Sequence, residues 1–207
     1  HALYEKLFQQ GAEYILSIHA SRLLSGIFNA ASLAAQAFAG RVNVVDSQSV
    51  TLGLGFQVLA AAEAVAAGRT PHAILAQLEE LRRRVRVVAM LDTLEYVRRS
   101  GRVSWARASL GTLLNIKPFV EVKDGIVQSL GEVRTRRKGM ARIQEILRGL
   151  GPLERLAILH TNADEEARLL LERYLPQLPT APLLINITTV IGTHVGPNGL
   201  GFAAVIA

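Results

Sequence analysis

The chain has 207 residues, a formal net charge of +6 and a composition that is 50% hydrophobic; it is long enough to bury one large or two small cores, which excludes intrinsic disorder. Charges, glycines and prolines interrupt every apolar run before the roughly 18 residues that a bilayer span needs, and the absence of cysteine excludes disulfides, thiolate metal sites and cysteine nucleophiles. The basic balance invites a nucleic-acid reading, but the arginine excess is spread over several segments, and one Trp and four Tyr supply no stacking platform, so no nucleic-acid partner is expected.

The opening residues Leu3 to Phe8 predict a helix that Gly11 ends. A short apolar strand follows at Tyr14 to His19, then a serine-rich turn from Ser21 to Gly26 and a helix through Ala30 to Ala39. Val42 to Val45 reads as a second buried strand ending in Asp46-Ser47-Gln48-Ser49, and Ala-rich Leu52 to Ala67 as a helix closed by Gly68. Thr70-Pro71 is an N-cap followed by proline at the first helical position, which starts another helix running to about Arg83. Strand and helix alternating in this way predict a parallel sheet with helices on its faces.

The style then changes. Arg86 to Leu91 predicts a strand, Asp92 to Arg99 a helical turn, and Gly101 to Asn115 a polar, glycine-punctuated segment before Lys117-Pro118. Asp124-Gly125 between the alternating runs Phe119 to Val122 and Ile126 to Ser129 is a strong hairpin signal. A helix from about Lys138 to Arg148, a strand at Leu156 to His160 and a helix from Asp164 to Tyr174 follow, the last with three acidic residues in its first turn. Pro176, Pro179 and Pro182 form a stiff connector. Strands at Leu183 to Val190 and Phe202 to Ile206 bracket a glycine-rich loop that carries His194. The fold class is therefore α/β in two domains: a parallel α/β part over 1–84 and a mixed-sheet α+β part over 85–207, with the boundary near Arg82 to Arg86.

Three segments can carry chemistry. A helix N-terminus offers unpaired backbone N–H groups and a partial positive charge, so the hydroxyls of Ser21 and Ser25 beside Gly26 make a cradle for a carboxylate or phosphate; capping alone explains them equally well. His194, in a loop with backbone free to approach a ligand, can donate to an anion or titrate near neutrality, or simply bond a neighbouring carbonyl. In Glu132 to Lys138, strand alternation would point Arg134 and Arg136 to one face, where paired guanidiniums could grip an anion; a solvated charged edge is the ordinary alternative. Asp46, Ser47 and Ser49 end a parallel strand, where α/β sheets bind ligands, although helix capping accounts for them as well. His72 and His160 read as structural. Gly53 and Gly55 lack the rest of a phosphate loop, no serine elbow is present, and no His, Asp and Glu cluster has metal spacing.

Taken together these segments resemble the DegV family of bacterial fatty-acid-binding proteins. The landmarks, in order, are Ile15 to Ser21 with Leu24-Ser25-Gly26, Val44-Val45-Asp46-Ser47, Asp92 to Val103, Leu113 to Pro118, Asp124-Gly125, Val133-Arg134-Thr135 and Ile191 to Pro197. The resemblance implies a cytoplasmic two-domain α/β protein that holds one long-chain fatty acid between its domains. It also implies a non-catalytic role, as the acyl-binding subunit that presents the carboxylate to a separate ATP-binding kinase subunit for acyl phosphate formation in phospholipid metabolism. By resemblance Ser25, beside Gly26 and Ser21, matches the serine that binds the carboxylate, and His194 the histidine near the head group. Arg134 matches the arginine that serves phosphoryl transfer, with Arg136 as its fallback. No cofactor or metal is implied beyond the fatty acid, and transient membrane contact is compatible with such a ligand.

Ile27 and Phe28 stand where the family usually has Thr and Tyr, and Asn198 where glycine is usual. Family members begin with a further stretch containing their first strands, and nothing here matches it. With His as residue 1, the sequence is expected to be a truncated or partial chain with an unpaired sheet edge. The alternative reading is an autonomous phosphotransferase-like enzyme acting on a small anionic substrate through Lys117, Arg134 and His194.

Overall fold

The computed structural model describes residues 1–103, 116–174 and 178–207. The contacts group them into two units: His1–Arg83 with Asp124–Ile126, and Arg84–Lys123 with Val127–Ala207.

In the first unit, helix α1 (Ala2–Gln9) precedes strand β1 (Ile15–His19), helix α2 (Ile27–Ala35) and a short 3-10 turn at Gln36–Phe38. Strand β2 (Val42–Asp46), helix α3 (Thr51–Ala66) and helix α4 (Pro71–Arg84) follow. The two strands pair in parallel, with Ile15 opposite Val42 and His19 opposite Asp46, as the βαβ crossover demands. Alternation then sorts the side chains. Ile15 and Val42 pack with Tyr4 and Phe38, and the Tyr4 and Phe38 rings meet edge to face at 5.8 Å. Tyr14, Leu16 and Ile18 instead line an apolar cavity of about 380 Å³ with Val58, Ala61 and Ile74 of α3 and α4. Gly53, Phe56, Gln57, Ala60, Ala61 and Ala64 are buried along α3, a 3-4-3-4 stripe whose small side chains let the helix lie close to its neighbours. Thr70 caps α4 as expected, its Oγ1 accepting from the Ala73 amide at 3.3 Å.

The second unit is built on a six-stranded mixed sheet. Its strands are β3 (Val85–Met90), β4 (Lys117–Lys123), β5 (Ile126–Val133), β6 (Leu153–His160), β7 (Leu183–Asn186) and β8 (Leu200–Ile206). They lie in the order β5-β4-β3-β8-β6-β7. β3 runs antiparallel to β4 and β8, β6 antiparallel to β8, and β6 parallel to β7. Asp124 and Gly125, with φ of 51° and 80°, make the left-handed two-residue turn that the Asp-Gly pair predicts. Helices α6 (Arg136–Gly149) and α7 (Asp164–Glu172) bury Ile143, Leu147 and Leu170 against Val88, Phe119, Ile158 and Phe202. Helix α5 (Glu95–Ser100) contributes Val97 to a smaller cluster with Leu91, Val103 and Val120.

One element departs from its sequence pattern. Leu183 to Val190, expected as a single strand, stops at Asn186, and Thr189–Val195 forms helix α8. His194 therefore sits on a helix rather than in a loop. The β-branched composition of this stretch favours a strand, but the chain is turned by Thr188 at the N-cap and released by Gly196, whose φ is 76°. The predicted polar segment at 104–115 and Pro176 lie outside the described residues.

Candidate functional site

The serine turn follows directly from the end of β1. Ser21 is fully buried, and its hydroxyl donates to the Gly125 carbonyl at 2.6 Å while accepting from the Leu23 amide at 3.2 Å. The hydroxyl proton of Ser21 is thus committed inside the protein. Its amide donates to the Ser49 carbonyl at 2.9 Å, which ties this turn to the one that follows β2. That second turn is self-contained. Asp46 Oδ1 accepts from the Gln48 and Arg22 amides, and the Ser47 hydroxyl and Ser49 backbone bond each other; these bonds close local turns and cap no helix, since the N-cap of α3 is Val50 without a side-chain bond.

Ser25 is different. It is half-buried, and its Oγ accepts the Ile27 amide at 3.3 Å. A hydroxyl that accepts in this way keeps its proton for another acceptor. Gly26, which has no side chain, is the N-cap of α2; apart from the Ser25 bond to the Ile27 amide no side chain engages this helix end among the described residues, and no acidic residue lies in its first turn. A Cβ placed on Gly26 would meet nothing within 4 Å, so the end of α2 is open just where its amides and partial positive charge would face an anion.

In the second unit His194 lies near the end of α8. Its Nδ1 is buried and has no hydrogen-bond partner among the described residues. Burial, and secondarily the Arg102 guanidinium, hold the imidazole below its ordinary value near 6.5, so it is neutral at pH 7. The turn after α8 is strapped in place. Thr161 Oγ1 donates to the Gly196 carbonyl at 2.7 Å and accepts the Gly199 amide at 2.8 Å. The Tyr96 ring lies so close over Gly196 that a Cβ there would collide with it.

The two arginines expected to share a strand face do not, because β5 ends at Val133 and a helix begins at Arg136. Arg136 is engaged by Glu166 through both carboxylate oxygens and donates to the Asn198 carbonyl. Arg134 is exposed and has no ion pair or hydrogen bond among the described residues. Lys117 is paired with Asp92 and also donates to its carbonyl. His160 is buried, with its Nδ1 accepting the Ala163 amide at 3.3 Å, in keeping with its structural reading. Ser21, Ser25 and Gly26 thus share one turn of the first unit, while His194 and Arg134 belong to the second.

Sequence reasoning overlooked a polar chain under α1: the Tyr4 hydroxyl lies 2.6 Å from Ser17 Oγ, which lies 2.8 Å from His19 Nε2. The only signal available was Ser17 and His19 two apart on one face of a strand. Among the described residues no group of three or more His, Asp and Glu could hold a metal, and no helix is long and apolar enough to cross a membrane.

Burial lowers the pKa of His19 as it does that of His194. As the pH falls, the unfolded chain therefore takes up protons at these positions before the folded protein does, so their contribution to stability is full above about 6.5 and is lost below it. Replacing His194 with Asn removes its share. The melting temperature of that variant is expected to fall less than the wild type's between about pH 7.5 and about pH 5.5, and an equal fall would show that the imidazole is not buried in solution.

A two-unit α/β protein with an open helix end after its first described strand and a half-buried imidazole, its Nδ1 without a partner among the described residues, in its mixed-sheet unit is a recognisable class. The family model described as "Uncharacterised protein, DegV family" matches residues 1–207. The chain belongs to the DegV family. It is 41% identical over 196 residues to a DegV domain-containing protein of Deinococcus radiodurans, a match covering 93% of this chain and 70% of that one. Its fold matches a DegV family protein from Thermus thermophilus whose structure describes fatty acid binding, with a TM-score of 0.91 and 36% identity over 100% of this chain and 75% of that chain. It likewise matches DegV of Bacillus subtilis, a fatty acid binding protein, with a TM-score of 0.83, 34% identity and the same coverage.

Proposed function

We propose that this protein binds a long-chain fatty acid and presents its carboxylate to a separate ATP-dependent kinase subunit for acyl phosphate formation, acting in the cytoplasm as the non-catalytic partner. The observation that supports the reading is the Ser25 hydroxyl, its proton without an acceptor among the described residues, at the glycine-capped start of α2, in a chain that is similar over its whole length to fatty-acid-binding DegV proteins. An ionised carboxylate accepts hydrogen bonds and carries the charge that this helix end favours. β1, which delivers the turn, also lines the apolar cavity, so one unit combines an anion-compatible turn with aliphatic surroundings. Each methylene of a buried tail would add about 0.8 kcal/mol.

In this reading His194 offers a neutral imidazole to the head group, and Arg134, without a partner among the described residues, serves the phosphoryl group that the kinase subunit delivers. Transient contact with a membrane surface supplies the ligand. The alternative of an autonomous phosphotransferase relies in part on Lys117, whose ammonium is already held by Asp92.

Organic extracts of the purified protein are expected to contain a stoichiometric long-chain fatty acid by mass spectrometry. Ser25→Ala should weaken retention by about 2 kcal/mol, roughly 30-fold, the loss expected for one hydrogen bond to a charged group. A wild-type protein that is empty and ignores added oleate would sink the reading, and ATP turnover by this chain alone would overturn its non-catalytic part.

A further inference from the structure

Helix α8 carries His194 yet buries none of its own side chains, and at seven residues it is far too short to persist unsupported. Val195 packs partly against the cluster of Leu91, Val97, Val103 and Val120, and the turn that follows the helix is held separately. At the C-terminal end the chain turns through Gly196, Pro197 and Asn198, the last with a left-handed φ of 59°. Two side chains hold this turn: Thr161, through the Gly196 carbonyl and the Gly199 amide, and Arg136, through the Asn198 carbonyl. Arg136 comes from the first turn of α6, and its guanidinium is oriented by a forked pairing with Glu166 in the first turn of α7. Such a fork fixes the plane of the guanidinium as well as its position. The remaining N–H donors of that plane then point in a set direction, which here ends on the Asn198 carbonyl.

We infer that Arg136, aimed by Glu166, is a positioning residue for His194: the pair fixes the 196–199 turn and thereby the pose of the half-buried imidazole. This gives Arg136 a task distinct from that of Arg134, which has no internal partner among the described residues. The inference rests on the fatty-acid reading only for its binding readout.

Two variants test it. Arg136→Lys keeps the charge but cannot make the fork, and Glu166→Gln keeps the shape but removes the carboxylate that aims the guanidinium. Both are expected to shift the His194 imidazole resonances in heteronuclear NMR spectra of the protein without added ligand. Both should also weaken oleate binding about tenfold, the size of one lost charge-assisted hydrogen bond. Arg137→Lys, one position away, should leave both readouts at their wild-type values. Arg136→Lys combined with His194→Ala should bind oleate no more weakly than His194→Ala alone, because the first change acts through the second residue. Unmoved His194 resonances in both variants, or additive losses in the double variant, would overturn the inference. If the wild type binds no oleate at all, the lipid reading fails, and the resonances still decide whether Arg136 and Glu166 set the imidazole.

Discussion

Gly201→Ala is expected to abolish folding of the six-stranded sheet at ordinary temperature. Gly201 lies on β8, between Ala89 of β3 and Leu159 of β6. A Cβ there would stand 2.3 Å from the Val88 carbonyl oxygen and 2.8 Å from the Ala89 Cα. These are backbone atoms of a central strand, so no rotamer change can relieve the overlap, and the strands would have to part where the ladder is continuous. Overpacking of side chains alone usually costs about 1–3 kcal/mol. A clash with backbone inside the sheet belongs in the exceptional range above about 4 kcal/mol, a large part of a domain's whole stability. Soluble yield and far-UV circular dichroism melts measure it, and a variant melting within a few degrees of the wild type would show that β8 can shift locally.

Thr161→Val is expected to cost about 2–6 kcal/mol, by a different route. Valine fills the same space, so no cavity opens. What disappears is one hydroxyl that donates to the Gly196 carbonyl and accepts the Gly199 amide. Both glycines are buried, so two backbone groups are left without water or partner, each at about 1–3 kcal/mol. The backbone bond from the Thr161 amide to the Gly199 carbonyl remains and keeps the turn attached. Denaturant titration should show a lower midpoint with an unchanged slope, accompanied by faster loss of bound fatty acid. Thr161→Ser, which restores the hydroxyl, should recover most of both; if it recovers neither, the methyl group rather than the hydrogen bonds is what matters at this position.

The parts of this protein legible in its sequence are those set by local chemistry. Asp124-Gly125 needs no distant partner to form a left-handed turn, and Thr70-Pro71 starts a helix from its own side chain and ring. Ala-rich Leu52 to Ala67 reads as a helix closed by Gly68, although its inner face was not legible, because Val58, Leu59 and Val65 on the outer side are apolar too. Helix α8 was illegible because Thr189-Val190-Ile191 favours a strand on its own, whereas its support comes from distant residues: Val195 packs against the Leu91 and Val97 cluster, and Thr161 and Arg136 hold the turn behind it. The assignment of Arg136 to Glu166 spans 30 residues, and the Tyr4, Ser17 and His19 chain joins a helix to a strand 13 residues on. Periodicity has no access to such pairings. At the candidate site, the sequence identified the serine turn and favoured Ser25 as its donor, but it did not carry the physical distinction between Ser21, whose proton is spent on Gly125, and Ser25, whose proton has no acceptor among the described residues. That distinction depends on where residue 125 lies.

The same Ser21 bond bears on how the protein is made. The first unit is discontinuous in the chain: its helices and strands are all translated by Arg83, but the Asp124–Ile126 segment that completes it emerges from the ribosome only after β3, α5 and β4. Until then the buried Ser21 hydroxyl has no carbonyl to donate to. A nascent chain stalled between Arg83 and Asp124 would therefore hold the serine turn with its anchor missing, and the turn can mature only once the hairpin has been synthesised.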